Sequence, residues 1–383
     1  NNYLGLTTHP KLKRKALDAL ERFGVGTGSV RTIAGTMELH MELERRLAEF
    51  KKTEATVVFQ SGFAANAGTV AAILTKDDIV ISDELNHASI IDGCRLSRAS
   101  IKVFPHRDVK AARDVLKDLP RTARKLLITD GVFSMDGDLG ALPDLCDLAE
   151  EFGCIMMVDD AHASGVFGTN GRGTIDHFGL HGRVDVQVGT LSKAIGALGG
   201  YVAGNKNLIE FLHHRGRPFL FSTSHPPSVA ASCLAAIDVL LEEPQLIDTL
   251  WNNTKFFKAG LRDLGFNTGT SQSPITPVIA GDATLAMKLS DRLFEEGRHG
   301  KTGGGVGPAQ LVPEPGVERR PGRRPGHGSR LAALALRQAG QADGKAPWRH
   351  PDPHFASLQA VCLERRLDEA VHAGSARAEN RLT

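Results

Sequence analysis

One lysine at the end of an apolar run is the first candidate for chemistry. The run Val186–Val188 predicts a buried strand, which continues through Thr190 to Lys193 and leaves through a glycine-rich segment. A partly desolvated ε-amine held at a strand end is a nucleophile that can form a Schiff base with a carbonyl group. The alternative for Lys193 on its own is a surface lysine in a loop.

A second predicted strand also ends in polar side chains. The apolar run Ile155–Val158 is followed by Asp159, and His162 comes three residues later. In open α/β sheets, ligands bind at the carboxyl ends of the strands. A buried carboxylate there can keep a pyridine nitrogen protonated while a lysine holds the aldehyde carbon of the same cofactor. Asp159, His162 and Lys193 therefore predict pyridoxal 5′-phosphate (PLP) chemistry, although Asp159 alone is about as consistent with a helix N-cap.

Long ordered motifs extend this pattern along the chain. They are Asn1–Leu6, Gly28–Thr36, Ser61–Asn66, Leu85–Gly93, Thr129–Gly137, Val158–His162, Thr190–Ala194 and Pro218–Ser224. Together they resemble the α-oxoamine synthases over residues 1 to about 297. The resemblance implies an α/β protein of PLP-dependent transferase fold type I, which is aspartate aminotransferase-like. Such a protein has a large domain with a mainly parallel sheet and a smaller C-terminal α+β domain.

The resemblance also implies roles for individual residues. Lys193 would bind PLP covalently, Asp159 would face the ring nitrogen, and His162 would contact the 3′-oxygen. His87 would stack on the pyridine ring, for which the alternative is a loop histidine facing solvent. Ser134 would contact the cofactor or help to orient His162.

The phosphate of PLP is expected at the start of a helix. A strand, a glycine turn and a helix N-terminus offer free N–H groups to an anion, so the backbone of Gly62 and Phe63 is predicted there. The alternative is simple helix entry. The resemblance adds the hydroxyl of Thr190, and it implies a homodimer with shared active sites, in which Ser222 and Thr223 reach the phosphate of the other subunit.

The resemblance implies an acyltransferase. The main prediction is glycine plus acetyl-CoA giving 2-amino-3-oxobutanoate and CoA, as in glycine C-acetyltransferase of threonine degradation. Lys193 would remove the Cα proton, and Asn1 would position the substrate carboxylate. The alternative in the family is 8-amino-7-oxononanoate synthase, which uses alanine and a pimeloyl thioester in biotin synthesis. The alternative of another class is a catalytically impaired PLP-fold protein that binds only partners.

Composition limits the other function classes. The chain has 383 residues, 41% of them hydrophobic, which is enough for a large core and two domains. It contains no apolar run of about 18 residues and no recognisable signal peptide, so we expect no membrane span. The cysteines are scattered, without a disulfide or metal-binding spacing, so we expect a cytoplasmic location and no metal. The body of the chain shows no nucleic-acid surface.

The chain divides into four predicted segments. They are an N-terminal segment at 1–37, a PLP-binding domain at 38–235, the start of a small domain at 236–297, and a tail at 298–383. The apolar spacing predicts helices at 10–23, 38–51, 109–119, 144–152, 228–241, 245–264 and 283–296. Strands are predicted at 56–59, 79–82, 101–104, 125–130 and 274–280, besides those that end near Asp159 and Thr190.

The tail differs from the rest of the sequence. It holds 12 Arg, 12 Gly and 8 Pro but no Ile, Met or Tyr, and its 14 Lys and Arg outnumber its 8 Asp and Glu. Such a composition does not build a packed domain. It also lacks a motif for the arginine that the family uses to bind the substrate carboxylate. We therefore expect a disrupted small domain, translated from a shifted reading frame after about Gly297; the alternative is a genuine basic extension.

Overall fold

The structure is a computed structural model that describes residues 1–299 together with residues 311–312. These residues fall into two compact units. The first contains Asn1–Ser134 and Asp138–Asn252, and the second contains Met135–Gly137 and the described chain from Asn253 onward.

The first unit is built on a seven-stranded sheet with the order β1-β7-β6-β5-β4-β2-β3. Only β7 runs opposite to its neighbours in this sheet, so the prediction of a mainly parallel sheet is confirmed. The strands are β1 Ala55–Phe59, β2 Ile79–Asp83, β3 Ser100–Phe104, β4 Lys125–Asp130, β5 Ile155–Asp159, β6 Val186–Thr190 and β7 Gly200–Gly204.

Both faces of this sheet are buried, which is why its central strands are continuous apolar runs. Alternate residues along a strand point to opposite faces. In β4 and β5, Ile128 and Met157 therefore pack in one core cluster. Their neighbours Leu127 and Met156 pack in a second cluster. The two faces are covered by helices, as the alternation of strands and helices predicts.

The helices of the first unit are α1 Pro10–Phe23, α2 Glu38–Lys51, α3 Gly62–Ile73, α4 Ala88–Ser97, α5 Val109–Lys117, α6 Leu142–Phe152, α7 Thr174–His177, α8 Lys206–Arg215, α9 Arg217–Leu220 and α10 Pro227–Glu242. The helices predicted at 10–23, 38–51, 109–119, 144–152 and 228–241 begin and end within two residues of α1, α2, α5, α6 and α10. No bounds are predicted from the sequence for the other five helices. Short 3₁₀ turns occur at Leu6–Thr8 and Thr169–Gly171.

The first unit extends further along the chain than the predicted boundary at residue 235. Helix α10 packs on α1 and α2 through a largely apolar face, which includes the buried residues Ala231 and Val239. That burial holds α10 in the first unit, which ends at Asn252. Helix α11 (Gln245–Asp263) spans this boundary.

The second unit is small in the part that the structure describes. A strand is predicted at 274–280, but β8 covers only Val278–Ile279, and it pairs in parallel with β9 (Leu311–Val312). Helix α12 (Ala283–His299) follows β8 and buries Ala286 beside Val278. The tail and its shifted-frame hypothesis lie almost entirely outside the described residues. Within the described ranges, no helix is both long and apolar enough to cross a bilayer.

Candidate active site

A cavity of about 160 Å³ lies at the carboxyl ends of β4, β5 and β6. This is where an open α/β sheet presents ligand-binding groups. Eight of the predicted site residues line it, and they come from well-separated parts of the sequence. They are Gly62, Phe63, His87, Ser134, Asp159, His162, Thr190 and Lys193.

Asp159 is the buried carboxylate at the end of β5, with 4% of its surface exposed. Its Oδ1 accepts a hydrogen bond from the backbone N–H of Ala161 at 2.8 Å. Its Oδ2 accepts one from the side-chain amide of Asn66 at 2.6 Å. Two donors thus satisfy and orient a buried carboxylate at the cavity wall. The N-cap alternative for Asp159 does not fit, because no helix of the structure begins there.

A second carboxylate stands beside it at the end of β4. Asp130 and Asp159 are direct partners in the parallel register of the two strands, and Asp130 also lines the cavity. Burial and the neighbouring charge of Asp159 raise the pKa of Asp130 well above its ordinary value. The Oδ2 of Asp130 accepts a hydrogen bond from the backbone N–H of His87 at 2.9 Å.

His162 is held by a buried tyrosine. Its Nδ1 forms a 2.8 Å hydrogen bond with the hydroxyl of Tyr3, a buried residue near the N-terminus. Burial, which is the largest cause, and the positive charge of Lys193 lower the pKa of His162 well below its ordinary value. The imidazole is therefore neutral at physiological pH.

His87 caps the N-terminus of α4. Its Nδ1 accepts a hydrogen bond from the backbone N–H of Ser89 at 3.2 Å, and the same atom lies 2.7 Å from the Ser89 hydroxyl oxygen. The side-chain amide of Asn66 donates to that hydroxyl at 3.0 Å. The orientation of the His87 ring is thus tied to the residues that surround Asp159.

The N-terminus of α3 faces the cavity. The Ser61 hydroxyl caps this helix by accepting from the backbone N–H of Ala64 at 3.0 Å. Within the described part of the chain, the N–H groups of Gly62 and Phe63 have no acceptor. A Cβ on Gly62 would lie 3.4 Å from Cβ of Thr190, so glycine keeps the helix start close to the Thr190 hydroxyl.

Three predicted residues are not among the described residues that line the cavity, namely Asn1, Ser222 and Thr223. Asn1 is exposed, and its carbonyl accepts a hydrogen bond from the N–H of Tyr3 at 2.9 Å. Thr223 is exposed, and its carbonyl accepts from the side chain of Gln60 at 2.7 Å. The proposed role of Ser222 and Thr223 requires a second subunit.

Four residues at this site are missed by reasoning from the sequence: Tyr3, Asn66, Ser89 and Asp130. Asp130 carried a signal that could have found it, because it ends an apolar strand as Asp159 does. The other three carried no signal of their own, since each acts by a contact with a residue distant in the sequence. Each of the three lies inside a motif that carries the family resemblance.

The fold and this cavity define the class of protein, a PLP-dependent enzyme of fold type I. A family model for class I and II aminotransferases matches residues 1–301, and the chain belongs to that family, within its α-oxoamine synthase branch.

Curated relatives and a solved structure are similar to the chain. It is 61% identical to the 8-amino-7-oxononanoate synthase of Symbiobacterium thermophilum over 298 residues, which cover 78% of this chain and 76% of that protein. It is 59% identical to 8-amino-7-oxononanoate synthase 1 of Bacillus subtilis over 297 residues, 78% of this chain and 76% of that protein. A serine palmitoyltransferase variant from S. paucimobilis with a bound PLP–myriocin adduct superposes with a TM-score of 0.75, at 37% identity and with 77% of each chain covered.

The residues present fit PLP as the cofactor. The cavity offers two unpaired N–H groups at a helix start for a phosphate, a buried carboxylate for a pyridine nitrogen, and a lysine amine for an aldehyde. Each group matches one part of PLP: the N–H groups match the phosphate, the carboxylate matches the ring nitrogen, and the amine matches the aldehyde carbon. When bound, PLP supplies an electron sink for a carbanion at Cα of an amino acid.

Proposed function

We propose that this chain is an 8-amino-7-oxononanoate synthase, which joins alanine to a pimeloyl thioester. The observation that carries the proposal is the 61% identity over 298 residues to a synthase of that name. In the reaction, a bond forms between Cα of alanine and the thioester carbonyl carbon, and the thiol leaves. Because the product has one carbon fewer than alanine and a pimeloyl group together, the alanine carboxylate leaves as CO₂.

We propose that Lys193 transfers the proton of the alanine Cα. Its amine would hold the cofactor in the resting enzyme and, once released, would take the proton from Cα of alanine and return one to Cα after the carboxylate has left as CO₂. Its position after β6 supports this role, because Thr190, His162 and Asp159 line the same cavity. The carboxyl ends of β4, β5 and β6 bring these groups together.

Asp159 and His162 are proposed to tune the cofactor. The Asp159 carboxylate would face the ring nitrogen and keep its proton in place. The low pKa of His162, caused first by its burial, leaves a neutral ring that can offer one N–H to the 3′-oxygen. His87 would stack on the ring, and Ser134 would contact the cofactor from the turn after β4.

Five residues are proposed to hold the phosphate. In the same subunit they are the N–H groups of Gly62 and Phe63 and the hydroxyl of Thr190, which lies beside Gly62. Ser222 and Thr223 would complete the site from a partner subunit. The side chain of Phe221, next to Ser222, is 69% exposed, which supports a homodimer in which the partner subunit covers the surface around Phe221.

A cytoplasmic location also stays a prediction.

The relatives favour alanine and a pimeloyl thioester over glycine and acetyl-CoA, which is the main prediction from the sequence. The Leu85–Gly93 motif suggests the glycine enzyme. Two of its residues, His87 and Ser89, line the cavity; the backbone N–H of His87 bonds to Asp130, and the Ser89 hydroxyl accepts from Asn66. The tail, which lacks a motif for the carboxylate-binding arginine, lies almost entirely outside the described residues.

The test compares both substrate pairs on one preparation. Purified protein loaded with PLP is assayed for thiol release with alanine plus pimeloyl-CoA and with glycine plus acetyl-CoA. We expect the first pair to give the higher kcat/KM, and the reverse order would favour the glycine C-acetyltransferase. Lys193→Ala is the control, because it should abolish both turnover and the covalent absorption band. A wild-type protein without that band would be the impaired PLP-fold protein.

A further inference from the structure

The side chain of Asn66 connects two predicted cofactor contacts that lie on different strands and helices. It sits on α3 and is 1% exposed. Its amide nitrogen Nδ2 lies 2.6 Å from Oδ2 of Asp159 and 3.0 Å from Oγ of Ser89. An Asn amide nitrogen carries two hydrogens and accepts none, so both of its donors are used by these contacts.

The orientation of the Asn66 amide follows from its neighbours. The reversed amide would place Oδ1 against the Asp159 carboxylate, where two acceptors would meet at 2.6 Å without a hydrogen. In the observed orientation Oδ1 is buried and has no partner among the described residues. A buried acceptor without a partner is costly. Asn66 is therefore not placed here for stability alone.

The contacts of Ser89 determine which ring nitrogen of neutral His87 carries the hydrogen. Ser89 directs two possible donors at Nδ1 of His87, its backbone N–H at 3.2 Å and its hydroxyl at 2.7 Å. A hydrogen on Nδ1 would face the backbone N–H directly. Nδ1 is therefore an acceptor, and the neutral ring carries its hydrogen on Nε2. With Asn66 donating to its oxygen, the Ser89 hydroxyl is polarised to donate onward to Nδ1.

We propose that Asn66, acting through Ser89, is a positioning residue that aims the Asp159 carboxylate and holds His87 as the neutral tautomer with its hydrogen on Nε2. This inference rests on the proposed cofactor contacts of Asp159 and His87. One amide then sets two properties of the cofactor site: the direction of the charge at the ring nitrogen and the hydrogen-bonding face of the stacked ring.

The two contacts of Asn66, its bond to Asp159 and its link through Ser89 to His87, can be separated by substitution. Ser89→Ala removes the hydroxyl that links Asn66 to His87 and leaves the bond from Asn66 to Asp159. Asn66→Ser has one hydroxyl hydrogen for two acceptors and weakens both contacts. Asn66→Asp keeps the size of the side chain but faces Asp159 with a second carboxyl group, so the two must share a proton. Ser97→Ala is the matched control, since Ser97 is another buried serine of α4 that bonds only to the backbone at Cys94 and Ala99.

Two measurements test the proposal. The first is the ¹⁵N spectrum of protein labelled at histidine, with and without PLP, in which the His87 signals are assigned with His87→Gln. We expect a protonated Nε2 and an unprotonated Nδ1 in the wild type and in Ser97→Ala. In Ser89→Ala the backbone N–H of residue 89 still faces Nδ1, so we expect the same tautomer but a displaced Nδ1 signal, because the hydroxyl donor is lost. A proton on Nδ1 in the wild type, or an unchanged Nδ1 signal in Ser89→Ala, would overturn the role of Ser89.

The second measurement is the Kd for PLP in protein freed of cofactor. Loss of a hydrogen bond to a charged group predicts a Kd about tenfold higher or more in Asn66→Ser and Asn66→Asp. For Ser89→Ala we expect a change of less than about threefold, because the bond to Asp159 remains. Unchanged PLP binding in both Asn66 variants would overturn the role of Asn66. Failure of the proposed function is seen separately, as wild-type protein that binds PLP and does not turn over alanine with pimeloyl-CoA.

Discussion

Asp130 and Asp159 end neighbouring parallel strands in direct register, and both carboxyl groups are buried. Burial and the charge of Asp159 raise the pKa of Asp130 well above its ordinary value, while the backbone N–H of His87 bonds its Oδ2. A raised carboxyl pKa in the folded protein means that folding retains a proton which the unfolded chain releases.

The first prediction concerns this proton. Stability should fall as the pH rises above about 4, where Asp130 of the unfolded chain ionises, with a limiting slope of about 1.4 kcal/mol per pH unit. Asp130→Asn keeps the acceptor for His87 and removes the proton, so its stability should depend less on pH in this range. Urea unfolding of the PLP-loaded proteins at several pH values checks this. An equal change of unfolding free energy with pH in the wild type and in Asp130→Asn would contradict this prediction.

The second prediction concerns the bond between Tyr3 and His162. Tyr3→Phe keeps the ring and removes the hydroxyl, which should cost about 1 kcal/mol of stability and release Nδ1 of His162. The pH profile of kcat should shift as well, because the partner that fixes the His162 ring is lost.

Tyr201 is the matched control for Tyr3. It is the other tyrosine of the chain, it is equally buried, and its hydroxyl bonds to Ser164 at 2.8 Å. Tyr201→Phe should lose similar stability without moving the pH profile of kcat. Equal shifts in both variants would argue against a specific role for Tyr3.

The third prediction compares two adjacent lysines. Lys51 is 1% exposed and lies 3.0 Å from the fully buried Asp160, whereas Lys52 is 49% exposed and lies 2.8 Å from Asp176. Lys51→Met leaves a buried charge unpaired and should cost about 3–5 kcal/mol. Lys52→Met should cost less than about 1 kcal/mol, because the Lys52 ammonium is half exposed and the buried Asp176 keeps its contacts with the N–H of Thr169 and the ring of His181. Chemical unfolding of both variants is the measurement, and similar losses would refute the distinction.

The fourth prediction concerns His106, which bridges Asp83 at 3.0 Å and Asp138 at 2.9 Å. Burial opposes its charge, but these two carboxylates outweigh burial and raise the pKa of His106 from 6.5 to about 9. The stabilisation is complete below about pH 6.5 and is lost as the pH rises through about 9, a difference of about 3 kcal/mol. His106→Gln should lack this loss of stability between pH 6.5 and 9. Unfolding at pH 6 and at pH 10 tests it, and an equal pH dependence in both proteins would exclude this bridge as the cause.

The fifth prediction concerns the tail. The family model matches residues 1–301, close to the point where the composition changes. We expect that DNA read through codon 297 in all three frames continues the family pattern in another frame, with an arginine in a short strand. If no frame continues it, the tail is genuine and the substrate carboxylate is bound in a different way.

Much of the large domain could be predicted from the sequence. Apolar β-branched runs predict buried strands, and helical spacing places α1 and α2 at their observed bounds. Lys193 and Asp159 could be predicted because each follows such a run, at the edge where parallel strands present ligands. The PLP assignment depended on these local signals together with motifs at family spacing.

The contacts between distant residues are what only the tertiary structure decided. Strand order brings Asp130 beside Asp159, and chain folding brings Asn66 to the same carboxylate and Tyr3 to His162. The local sequence encodes the spacing of apolar residues in a helix or strand and the polar side chains that follow it. The neighbours of that end depend on which elements pack together, and this is set by the burial of whole faces rather than by any one motif.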